Sequence, residues 1–406
     1  MTCRFCGKED TYKFLDLGSM PPANRFLTEA ELTSVQEKAY PLDVYFCDVC
    51  GLVQIGYVVP PDELFKDYIY VSSTSDMIHS HAGCLATSFR ERFGLTAGSL
   101  VVEIASNDGT VLQSFKKLGV RVLGVEPAGN IAKVAVDAGI ETLNVFFDEE
   151  SSALIKARNG SADVLLGRHV FAHVPMIHGF VRGLKNLLAP LGVVAIEAPY
   201  IIDFVEKTEF DTVYHEHYSY LSVRSMSYLF GLHDMELFDV ERVTIHGGSI
   251  IYFIGHKGAH PVSANVARLT KEELDKGLGR RDTYLQFAQR TARIKEDLTT
   301  LLRDLRASGK RVAAYGAPAK GNTLLNYCGI TTDLVAYTVD KSPYKQNLYT
   351  PGAHLFVYPP EKLLQDHPDY VLLLAWNFAD EILEQQKAYC DAGGKFIIPI
   401  PQVRIV

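Results

Sequence analysis

Two copies of one short pattern limit what this chain can fold into more than anything else in it. Cys3-Arg-Phe-Cys6-Gly7 and Cys47-Asp-Val-Cys50-Gly51 are both Cys-x-x-Cys-Gly knuckles. Each puts two thiols on a tight turn, and the glycine frees the backbone to aim its amides at them. Two such pairs make a tetrahedral four-thiolate zinc site with Cys3, Cys6, Cys47 and Cys50 as ligands. A shell closed by four thiolates leaves no position for water. The zinc is therefore expected to be structural, stabilising a segment with little core of its own.

The opening MTCRFCGKED has neither the basic start nor the apolar stretch of a signal peptide. A cytoplasmic location is expected, where seven cysteines act as ligands or buried thiols rather than as disulfides. No apolar run is long enough for a bilayer, so no membrane partner is expected. A formal charge of −8 without any Lys/Arg-rich run argues against nucleic acid as well.

At 406 residues the chain exceeds what one small core organises, and its patterning divides it in three. Residues 1–79 form the zinc-binding domain, with a Pro-rich stretch, DLGSMPPANRFL, read as a surface loop. Residues 80–285 alternate buried strands with amphipathic helices: LVVEIASNDGTVLQSFKK, VRVLGVEPAGNIAKVAVDAG, ADVLLGRHVFAHV and LGVVAIEAPY. That alternation predicts an α/β domain, a Rossmann-like parallel sheet covered by helices on both faces. Residues 286–406 open on a long helical stretch. A second, smaller Rossmann-like α/β lobe follows, whose strand-turn-helix signal is KRVAAYGAPAKGNTLLNY.

Ligands of such sheets bind beyond the carboxyl ends of the strands, which gathers the turn at 105–109, Glu126 and the loop after Leu166 around one crevice. EIASNDG has a strand-ending acid, Glu103, and one glycine, Gly109, but not the G-x-G-x-x-G spacing that lets a backbone approach a pyrophosphate. A ligand without phosphate suits that turn, through Ala105, Asn107 and Gly109. Glu126 stands where a carboxylate accepts from ribose hydroxyls. The pair points to an adenosine-containing molecule such as S-adenosylmethionine.

TVYHEHYSYLS, residues 212–222, packs His215, Glu216 and His217 between Tyr214, Tyr218 and Tyr220. As a strand it would put both histidines on one face. As a helix it would make Tyr214 and His217 neighbours. Three readings stay open from the residues alone: a metal site on His-x-His, an acid–base site, or buried polar groups satisfied by hydrogen bonds.

The knuckles, VVEIASNDGT, VFAHVP, YHEHYSYLS, HGGS and YGAPAKGNTLLNY, in that order, resemble the nucleotide-sugar C-methyltransferase family over nearly the whole chain. The resemblance implies a zinc domain, a class I methyltransferase domain and a lobe that helps hold a nucleotide-diphosphate sugar. It implies methylation of a ring carbon, C3, next to a keto group of a deoxy sugar, with S-adenosylmethionine as donor. His217 would be the base and Glu216 would orient the motif or stabilise an imidazolium. Tyr214, His173 and Tyr68 would donate to the sugar's oxygens, and Lys320 and Asn322 would contact the diphosphate. Where the family often has asparagine, this chain has His169, a substitution expected to change which sugar substituent is recognised. A monomer is expected. Two other readings compete, a nicotinamide-dependent sugar reductase and a non-catalytic zinc-containing nucleotide-binding module. The missing glycine fingerprint opposes the first and the acid–base cluster the second.

Overall fold

The computed structural model describes residues 1–65, 76–243 and 248–406. Tyr68, the Ser/Thr cluster at 72–75 and the His246-Gly247 part of HGGS lie outside the described residues.

In the first segment, β1 (Thr11–Met20), β2 (Tyr40–Cys47) and β3 (Val53–Ile55) pair antiparallel. β2 shows the period-two alternation of a half-covered strand, with Leu42, Val44 and Phe46 fully buried and Asp43 and Tyr45 between them more exposed. The Pro-rich stretch is only partly a loop. Asp16–Met20 belongs to β1, because Leu17 and Met20 bury their side chains and a register shift between Asp16 and Ser19 absorbs the irregular backbone.

The second segment supplies β4 (Leu100–Ile104), β5 (Arg121–Val125), β6 (Thr142–Leu143), β7 (Ala162–Arg168) and β8 (Leu188–Pro199), mutually parallel. Every residue of β4 is buried, as expected of a central strand covered on both faces. Two residues, β9 (Ser219–Tyr220), leave this segment and pair with β3, so the first sheet has the order β1-β2-β3-β9. Then β10 (Met235–Val243) and β11 (Ser249–His256) return antiparallel, giving a seven-stranded sheet of order β10-β11-β8-β7-β4-β5-β6.

The third segment begins along the 27-residue helix Arg281–Ala307, about 40 Å long at 1.5 Å per residue. Its buried stripe, Tyr284, Phe287, Ile294, Leu298, Leu302 and Leu305, follows helical spacing. Phe14 of β1 packs on Tyr284 and Phe287 at 5.0 and 6.2 Å between ring centroids, tying the first sheet to this helix. Beyond it come β12 (Val312–Tyr315), β13 (Thr338–Val339), β14 (Val357–Tyr358), β15 (Tyr370–Leu373), β16 (Lys395–Ile398) and β17 (Arg404–Ile405). They form a sheet of order β14-β13-β12-β15-β16-β17, parallel except for β17. Its topological switch lies between β12 and β15.

Candidate active site

The four cysteines converge. Their sulfurs all lie within 4.8 Å of one another, with Cys3–Cys50 and Cys6–Cys47 at 3.5 Å. A Zn–S bond of about 2.3 Å sets tetrahedral sulfurs about 3.8 Å apart, so the donor set and its spacing fit zinc. The knuckles also grip the histidine segment. Arg4, between the first two cysteines, donates to the Tyr218 carbonyl at 2.7 Å, and Arg224 donates to the carbonyls of Asp48 and Val49 in the second knuckle.

At the cofactor end, the turn after β4 holds Ala105, Asn107 and Gly109 at φ of 54°, 50° and 76°. Left-handed backbone at two non-glycine residues is uncommon. The turn is held by Glu126, whose Oε2 accepts from the Asn107 amide and Oε1 from the Ala128 amide, each at 2.9 Å. Gly109 is favoured by its φ, and a Cβ there would press on Ile140 at 3.0 Å. Glu103 is 3% exposed, and burial pushes its carboxyl up to about 8 against the pull of Arg168.

At the other end, the 3-10 turn Phe210–Thr212 leads into the histidine segment. Among the open readings, the backbone here is a turn, neither strand nor helix, until β9 begins. His217 Nδ1 lies 2.8 Å from the Thr212 carbonyl, so Nδ1 carries the hydrogen and donates it. Nε2 is then the bare nitrogen, and it accepts from the Tyr214 hydroxyl at 2.7 Å. His173 stands edge-on to His217 at 4.8 Å between ring centroids. Burial pushes His217 down to about 4 and His173 well below the ordinary histidine value, with the nearby His169 acting in the same direction on both.

The structure therefore brings His217, Tyr214, His173 and His169 together. It separates other residues of the motif. Glu216 points to the joint between segments. Both its oxygens take the Asn24 amide at 2.8 Å rather than an imidazole, and burial pushes it up to about 7 with Lys345 opposing. His215 bonds the Tyr40 carbonyl at 3.2 Å, away from His217. Tyr218 and Tyr220 are buried, their hydroxyls on the carbonyls of Val59 and Thr212. Asn322 needs correction. It is fully buried with its amide on the Ala23 carbonyl at 2.7 Å, so no diphosphate reaches it in this arrangement. Lys320 is half-buried, lies 4.2 Å from the Trp376 ring centroid and donates to Asn377.

Sequence reasoning missed Glu197. This fully buried acid near the end of β8 receives His81 at 2.7 Å on Oε2, and His169 at 3.2 Å and Arg168 at 3.4 Å on Oε1. These partners outweigh burial and hold its carboxyl well below the usual range. The rule that singled out Glu103 and Glu126, an acid at the carboxyl end of a strand, would have found it.

The low value of His217 has a measurable consequence. Its folded value is depressed from 6.5 to about 4, so the unfolded chain takes up the proton first as pH falls. The stability linked to this group is complete above 6.5 and is lost as pH drops toward about 4. A rate that needs the neutral ring should hold through pH 5.5 and decline toward pH 4. A rate that breaks between pH 6 and 7 on the acid side would contradict this.

Three family models match successive stretches of this chain. Residues 3–65 match the family model described as "Putative zinc binding domain", 78–237 match "Methyltransferase domain", and 244–401 match "C-methyltransferase C-terminal domain". The chain is 40% identical over 405 residues to the C-methyltransferase NovU of Streptomyces niveus, covering 100% of this chain and 96% of that one. Among solved structures, an S-adenosylmethionine-dependent methyltransferase from Anabaena variabilis is 17% identical, with a TM-score of 0.36, covering 44% of this chain and 86% of that one. Another from Clostridium acetobutylicum is 11% identical, with a TM-score of 0.37, covering 49% and 96%.

Proposed function

This chain belongs to the C-methyltransferase family, and from that premise we propose that it methylates C3, beside the keto group of a nucleotide-linked deoxy sugar, by enolate formation followed by methyl transfer. S-adenosylmethionine, when bound, supplies an electrophilic methyl group, and Glu103, Ala105, Asn107, Gly109 and Glu126 are the residues that would hold it. A carbon next to a ketone becomes nucleophilic only when a base takes its proton while donors steady the charge on the oxygen.

The observation that carries this reading is the state of His217. Its Nδ1–H is committed to the Thr212 carbonyl, its Nε2 is bare, and burial keeps the ring neutral. Such a ring accepts a proton without being saturated beforehand. Tyr214, now on Nε2, would turn its hydroxyl to the developing oxyanion, with His173 and His169 beside it and Tyr68 as a further donor. Lys320 would face the diphosphate from the switch point of the third sheet. No described helix is long and apolar enough to cross a membrane, and the substrate is taken to be a small molecule.

The test is a substrate panel. Purified protein should release S-adenosylhomocysteine only with a nucleotide-activated keto sugar, and should wash the α-proton of that sugar into heavy water. Turnover with free hexoses or with ketone-free nucleotide sugars would oppose the reading.

A further inference from the structure

His217 can act as a base only while the Thr212 carbonyl holds its ring, and the turn presenting that carbonyl is anchored in the third segment. Asp211, immediately before Thr212, is fully buried, and its Oδ2 accepts the Trp376 indole N–H at 2.6 Å. The indole is the side-chain donor that anchors it, with Lys320 and the backbone amides of Asp211 and Thr212 acting on the same carboxylate. Trp376 follows β15 at the switch point, and Lys320, from the helix Ala319–Cys328, lies against the same ring. Phe210 completes the joint, with Tyr327 edge-on at 5.3 Å. The chain of contact therefore runs from Trp376 to Asp211, through one peptide link to the Thr212 carbonyl, and on to His217 Nδ1, with Tyr220 on that carbonyl at 3.2 Å.

We propose that Asp211 and Trp376 are positioning residues that lock the His217 ring to the third segment, so that the base is oriented only when the two α/β units are docked. This rests on the reading of His217 as the base. Removing a donor from a buried carboxylate is costly, so the indole N–H helps keep the turn in place. One misplaced turn is enough to misdirect an imidazole whose reach must be correct within a fraction of an ångström.

Trp376 is the chain's single tryptophan, so its emission reports on this latch alone. Burial pushes the Asp211 carboxyl up to about 6. The charged and titratable groups facing it are Lys320, held low by burial, and Glu209, pushed up to about 7. Cys328, also in range, is pushed up to about 12 and stays protonated throughout. Wild-type emission should shift with a midpoint near pH 6, and Asp211→Asn should remove that transition while leaving any contribution from Glu209. Wild-type emission that does not change, or an identical titration in Asp211→Asn, overturns the latch.

The second readout is the His217 ring proton, observed at neutral pH in protein carrying 15N-histidine and assigned by its loss in His217→Asn. Trp376→Phe keeps the bulk but removes the donor. It should speed solvent exchange of the Nδ1 proton about tenfold, the loss of a bond of ordinary strength. Asp211→Asn, which still offers an oxygen to the indole, should recover most of the protection. An unchanged proton in Trp376→Phe, with zinc content and Tm retained, overturns the proposal. So does equal loss of protection in Asp211→Asn. These measurements need no sugar. If they come out as expected while His217→Asn still exchanges substrate protons, the latch stands and the base assignment fails.

Discussion

The His217→Asn protein is expected to lose α-proton washout, and with it methyl transfer, by roughly 10²- to 10⁴-fold, the range a positioned general base contributes. The substitution is informative because it changes little else. The ring is half-buried on a turn, with one nitrogen bonded to the Thr212 carbonyl, and an asparagine amide is small enough for that space and still polar. It cannot take a proton near neutral pH. Affinity for S-adenosylhomocysteine and zinc content should stay at wild-type levels, since neither the turn at 105–109 nor the cysteines touch this ring. Tyr214→Phe should do less, because it removes one donor but leaves His217 Nε2 bare. Heavy-water exchange followed by mass spectrometry separates the two steps, and wild-type exchange in His217→Asn would end the role given to this residue.

Removal of zinc should be the most destructive change. Binding of structural zinc by small domains is worth about 10–16 kcal/mol in apparent terms, comparable to or greater than the whole stability of an ordinary domain. The first sheet has one short outer partner, β9, and that partner is the tail of the histidine segment: Val53 pairs with Tyr220 and Gln54 with Ser219. Arg4, from the first knuckle, and Arg224, donating to the second, add hydrogen bonds between the knuckles and the same neighbourhood. Loss of the metal therefore loosens the strand that fixes His217 from its C-terminal side. Cys47→Ser, or mercurial release of zinc followed by chelation, is expected to lower Tm by more than about 10 °C and to expose thiols. The histidine ring-proton signals should broaden before any substrate is added. Metal-free protein with an unchanged Tm and an unchanged His217 proton would show that the cysteines do not support the site.

Much of this was legible in the chain. The knuckles specify the metal because two pairs of thiols at one spacing have few other uses, and they converge as expected. The parallel strands are readable because a strand buried on both faces is a short, mostly apolar run, as in LVVEI and VAAY. The antiparallel pair β10 and β11 was not read as strands, since its pairing depends on where the chain turns back across β8, not on local pattern.

By itself, the sequence determined the metal ligands and the α/β character of the second and third segments, because each follows from residue types at fixed local spacing. Tertiary structure alone decided which of the clustered polar groups face one another. Glu216 turned to Asn24, and Asn322 was consumed by the Ala23 carbonyl. His217 met His173 across 44 residues of chain, and Glu197 collected His81, His169 and Arg168 from separate elements. The physical reason is that a buried polar group must find a partner wherever packing brings one. That partner is set by how sheets and helices dock, which no stretch of eleven residues contains.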